Sequence, residues 1–72
     1  MADILSNQDK VEIANAHKRQ IEMNKWNLEL SLVEENAIST PNTEVIANLN
    51  AQLADTTARL AAINEEIASL TE

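Results

Sequence analysis

From Ile46 onward, large apolar residues recur at alternating steps of three and four. The positions are Ile46, Leu49, Leu53, Thr56, Leu60, Ile63, Ile67 and Leu70. Seven of these eight are bulky and apolar. Such spacing over nearly four heptads predicts a helix with one seam-forming face, the pattern of a coiled coil. A matching stripe runs through the first half: Val11, Ala14, Lys18, Ile21, Lys25, Leu28, Leu32 and Glu35. It is weaker, because two lysines and a glutamate interrupt it. A lysine stem can still pack on apolar neighbours while its ammonium reaches water.

Two start signals frame these stripes. Ser6-Asn7-Gln8-Asp9 has the hydroxyl-x-x-acid form of a helix N-cap, with the acid placed in the positive first turn. Thr40-Pro41-Asn42-Thr43-Glu44 forms the second. Here Thr40 is the expected cap and Pro41 the expected first helical residue, where its missing N–H costs nothing. Proline also disfavours helical geometry at Thr40, which ends the first helix near Ile38. The expected organisation is a single domain over residues 1–72: a helix at about 7–38, a turn at 39–40, and a helix at about 41–71.

The two stripes fit antiparallel. Leu49 then faces Leu32, Leu53 faces Leu28, Leu60 faces Ile21, Ile67 faces Ala14 and Leu70 faces Val11, with Lys25 opposite Thr56 and Lys18 opposite Ile63. The corner falls at Thr40-Pro41, where the proline signal lies independently. Charge favours the same arrangement, since Lys10, Lys18, Arg19 and Lys25 come beside Glu65, Glu66 and Glu72, although each such surface pair is worth only about 0–1 kcal/mol. The expected fold is an all-α, antiparallel two-helix coiled-coil hairpin, assembled into a larger helical bundle or ring. Its length from ~30-residue arms is roughly 45 Å; a single helix kinked at Pro41 would instead make a rod near 100 Å. Trp26 to Leu32 alternates like a strand, but no turn residues bound it and no second strand exists to pair with it.

Both arms hold more apolar surface than one seam uses. On the first, Met23, Trp26, Leu30, Val33 and Ala37 lie roughly opposite the Ile21/Leu28/Leu32 face. On the second, Ala47, Ala51, Ala54, Ala58, Ala61 and Ala68 lie roughly opposite the Ile/Leu seam. A helix apolar on two sides is normally buried on both. A contiguous patch carrying a tryptophan is uncommon on a monomer, and tryptophan is a favoured binding anchor. The alternative is scattered surface apolars, and for the alanines simple helix propensity. If both stripes are interfaces, a neighbour's Trp26 and Met23 can seat over the alanines, a head-to-tail contact that builds rings or filaments. Trp26 stripes set back to back would instead make a two-fold four-helix bundle.

Composition sharpens this picture. In 72 residues there is no glycine, no cysteine and one proline. Without glycine, turns that need positive φ are few and hairpin-rich β folds are disfavoured; the 11 alanines and eight leucines favour helix. Below roughly 70–80 residues a lone core supplies little net stability. With no cysteine, disulfides and cysteine metal sites are excluded as staples, leaving regular helix packing, self-association or docking on a partner. The net charge of −7 opposes nucleic acid and anionic lipid as partners. No apolar run approaches the roughly 20 residues of a membrane span. Met1 to Ser6 has no basic or long apolar stretch, so no secretion signal is expected and cytoplasmic or virion-associated residence fits.

Candidate chemistry is sparse. His17 has Ala14 and Gln20 three residues away, so the Glu-x-x-His spacing of helical metal sites is missing. Glu34-Glu35 and Glu65-Glu66 are adjacent acids that diverge on a helix and read as solvated surface. No nucleophile stands beside a base and no glycine-rich phosphate loop exists, so neither an enzyme nor a small-molecule substrate or cofactor is expected. The nine asparagines depart from an idealised helical design; Asn24, Asn27, Asn48 and Asn64 can be exposed polar surface or bonds across helices. Small acidic hairpins of this character resemble accessory proteins of bacteriophage particles and other large assemblies, which implies a structural or assembly role through self-association or a larger protein complex. The alternative is an acidic regulatory adaptor or inhibitor that docks a helix onto a basic protein.

Overall fold

A computed structural model describes residues 4–71 of the chain. It contains two helices, α1 (Asn7–Ala37) and α2 (Thr43–Thr71), packed against each other. The molecule measures 59 × 19 × 14 Å. By helical rise, 31 residues span about 46 Å, so the length is that of one arm plus the chain beyond its ends. A kinked rod near 100 Å does not fit these dimensions: the chain folds back as a hairpin.

Helix α1 begins on a capping box. Ser6 is extended (φ −72°, ψ 166°), and its hydroxyl accepts from the Asp9 N–H at 3.0 Å. The Asp9 carboxylate accepts from the Ser6 N–H at 3.2 Å, so two donors that the helix leaves open are satisfied reciprocally. The helix ends at Ala37, with Ile38 extended at φ −77°, ψ 157°. No described residue has positive φ, and this is how a glycine-free chain turns: it leaves the helix through extended backbone instead of a left-handed residue.

The second helix starts two residues later than the sequence pattern suggests, and its cap is Asn42 rather than Thr40. The Asn42 Oδ1 accepts from the N–H groups of Glu44 (3.0 Å) and Val45 (3.2 Å). The Asn42 carbonyl accepts from the Ile46 N–H at 3.0 Å. Pro41 therefore precedes the cap and does not open the helix. Asparagine is the stronger cap because its oxygen reaches two orphan donors, and proline before it fixes the incoming φ.

Glu35 also departs from the reading of a solvated acid. It is partly buried, and its Oε1 accepts from the Asn42 N–H at 2.8 Å. A carboxylate at the C-terminal end of α1 is unfavourable for that helix dipole. Here the same carboxylate lies at the positive N-terminal end of α2, where negative charge is stabilising. The bond spans the whole turn and ties the two helix ends together.

Between the arms the partly buried residues of α1 include Val11, Ala14, Lys18, Ile21, Lys25, Leu28, Leu32 and Glu35. Those of α2 are Ile46, Leu49, Leu53, Leu60, Ile63, Ile67 and Leu70, with Thr56 the one buried residue described, at 8% exposure. Thr56 hides no unsatisfied group, because its hydroxyl donates to the Gln52 carbonyl one turn back at 2.7 Å. Among the described residues no hydrophobic side chain is fully buried. Two helices in contact cover one side of each seam residue and leave its flanks open to water.

The caps make a specific prediction. Asn42→Ala should lower stability by about 1 kcal/mol, whereas Thr40→Ala should change it by less than about half that. Thermal melts followed by circular dichroism at one fixed protein concentration compare the two. Equal losses would show that the turn is held by something other than the Asn42 cap.

Candidate functional site

Amphipathicity differs between the arms. The apolar residues of α2 sum to one side, whereas those of α1 are split and nearly cancel. The exposed apolar residues of α1 include Met23 (49%), Trp26 (58%), Leu30 (37%) and Val33 (65%), with Ala37 also exposed. Steps of three and four place them along one line of the helix. That line lies on the back of α1, well away from the Ile21/Leu28/Leu32 seam. Indole, thioether and branched aliphatic groups here face solvent side by side.

The chain's total exposure makes the same point. It exposes 5535 Å², whereas a compact monomer of its 7.9 kDa mass would expose about 4,400 Å² by the usual scaling. The excess is the outer surface of two thin helices that have no further layer to cover them.

The second stripe is present but different in kind. Ala47, Ala51, Ala54, Ala58, Ala61 and Ala68 are all exposed. They occupy the back of α2, so the two stripes lie on opposite edges of the hairpin and do not form one surface. Methyl groups offer little area each, and the bulky contact area of the molecule is on α1.

Open grooves between the arms include two among the described residues. One is polar and lies mid-length, lined by Asn24, Asn27, Ser31, Gln52 and Arg59 over Leu28 and Thr56. Ser31 and Thr57 return their hydroxyls to their own helix, to the Asn27 and Leu53 carbonyls at 3.0 and 2.9 Å. Asn48 and Asn64 are exposed and lie outside this groove. The other groove is mostly apolar and sits at the open end of the hairpin. Leu5, Ile13, Ala14, Ile63 and Leu70 line it, with Lys10, His17 and Glu66 around them. This brings the start of α1 beside the end of α2, as an antiparallel pair requires, and sets Lys10 and Glu66 on a common rim. Glu72 lies outside the described residues.

This end patch was not singled out by periodicity. Leu5 and Ile13 are exposed at 43% and 47%. Leu5 precedes the helix, and Ile13 sits between the two stripes, so neither falls in a repeating pattern. The only signal in the sequence is that both are large apolar residues left without a role.

Among the described residues, no group of three or more His, Asp or Glu side chains could hold a metal ion. No helix is long and apolar enough to cross a membrane. Compared with known proteins, the chain matches no family model, no curated protein and no solved structure.

The two sides of α1 and α2 should respond differently to truncation. Leu53→Ala or Leu60→Ala removes a seam side chain and should cost about 2 kcal/mol, the lower end for a core leucine because these are only partly buried. Trp26→Ala, measured where the chain is monomeric, should cost about 0.5 kcal/mol or less, as for a surface position. Urea titrations of dilute protein decide it. A loss at Trp26 equal to that at Leu60 would make Trp26 part of the hairpin core.

Proposed function

We propose that this chain is a non-enzymatic structural or assembly protein: an oligomerising helical hairpin that serves as a small component of a larger complex, of the kind found in bacteriophage particles. The observation that carries this reading is the exposed line Met23-Trp26-Leu30-Val33 on the back of α1. Contiguous apolar surface of this sort, with an aromatic anchor, is the usual mark of a contact between proteins. The thin seam supports the reading as well. A chain of 72 residues with no fully buried hydrophobic side chain among those described gains most of its remaining stabilisation by covering that line.

The role follows from shape. The hairpin is a stiff element about four times longer than its narrowest width, capped at the start of both helices and cross-tied at the turn. Such an element sets a spacing and presents an edge. Its acidic surface keeps the chain soluble and discourages contact with nucleic acid or anionic lipid, which leaves proteins as partners. An assembly role of this kind belongs in the cytoplasm or in a virion.

Trp26 is the only tryptophan, so its fluorescence reports on the proposed surface alone. Raising the protein from low to high micromolar concentration should shift its emission to the blue and raise the mass found by sedimentation. Trp26→Ala should abolish the mass change with helix content retained. A wild-type chain that stays monomeric throughout, with unshifted emission, would contradict the assembly reading. If that chain also gained helix on meeting a basic protein, the acidic adaptor would be the better account.

A further inference from the structure

Two exposed charges flank the four large apolar side chains of the line on α1. One helical turn before Met23 stands Arg19, and directly after Val33 stands Glu34; both are exposed. Arg19 is four residues before Met23 and Glu34 four residues after Leu30, so by helical spacing each stands beside this apolar group. The surface therefore reads, along the helix, as a cation, four apolar side chains and an anion. Such a surface is self-complementary in one orientation only. Laid antiparallel on a second copy of itself, each Arg19 meets the other copy's Glu34. Laid parallel, arginine meets arginine and glutamate meets glutamate.

We propose that the occupant of this surface is a second copy of the chain, bound antiparallel across a two-fold axis that passes near Trp26. The inference rests on the assembly reading above and names its partner. In this register Met23 of each copy packs against Leu30 of the other, and the two Trp26 rings flank the axis. The two Arg19–Glu34 pairs close the ends of the apolar patch. A two-fold contact of this type uses the same patch on both copies. The product is a four-helix arrangement with the α1 helices in the centre and the alanine edges of α2 outermost. Those edges stay free for the larger complex.

Charge reversal tests the orientation. Arg19→Glu and Glu34→Lys each turn two attractive pairs into two repulsive ones, and each alone should raise the dimer dissociation constant roughly tenfold. The chain carrying both reversals restores complementarity and should dimerise about as well as the wild type. Neither residue lies in the hairpin seam, and circular dichroism of dilute samples checks that the fold is kept. A spin label at Gln8→Cys gives an independent reading. In the antiparallel dimer the two labels should be about 55 Å apart along the axis, and in a parallel one they would lie nearly side by side. A dimer with a short label distance, or with no response to the single reversals, or without rescue by the double reversal, overturns this inference and leaves the assembly reading standing. A wild-type chain with no detectable association overturns the assembly reading itself.

Discussion

The number of sides a helix can bury governs this molecule. One helix packed on one other covers a single stripe on each, so every seam residue keeps an open flank. That is why Leu28, Leu53 and Leu60 are only partly buried, and why the one residue classed as buried among those described is the small Thr56. The remaining apolar surface must then be covered by something outside the chain or stay in water. On α2 the residues facing away from the seam are mostly alanine and polar groups, and exposure costs little. On α1 they include tryptophan, methionine, leucine and valine, and exposure costs much more. The asymmetry between the two outer edges follows from the sequence of α1 alone.

The corner shows a second constraint, the absence of glycine. A helical hairpin needs its first helix to stop and its second to start within a few residues. Without a left-handed residue to end α1, the chain leaves through extended backbone at Ile38. The stop is reinforced from the far side, where Pro41 and the Asn42 cap define the start of α2. Glu35 then joins the two ends through the Asn42 N–H. A single carboxylate thus answers an N–H at the start of one helix from the last turn of the other, which ties the two helix ends across the corner.

Much of the fold was legible because heptad spacing survives interruption. Lys18 and Lys25 break the apolar stripe of α1 in composition but not in position, since their stems are partly buried. The strand-like alternation of Trp26 to Leu32 yields to helix because α1 runs through it on both sides. The turn was legible only to within two residues. Proline announces that a helix begins nearby, yet whether it stands at the first helical position or before the cap depends on which neighbour reaches the orphan N–H groups, and Asn42 outcompetes Thr40. The Glu35 bond had no sequence signal, since a carboxylate seven residues from its donor falls in no local capping pattern. At the open end the reason is the opposite: Leu5 and Ile13 are apolar but aperiodic, and only the return of α2 brings Ile63 and Leu70 beside them.

Covering the back of α1 by association stabilises a hairpin that already folds, so assembly and folding are linked equilibria. The most direct measurement is the thermal midpoint as a function of protein concentration. Association of this kind predicts that the midpoint rises by about 5 °C for each tenfold increase in concentration, as expected when two short chains melt together. A midpoint that is sharp and independent of concentration over a thousandfold range would show that the hairpin is self-sufficient, and would contradict the account.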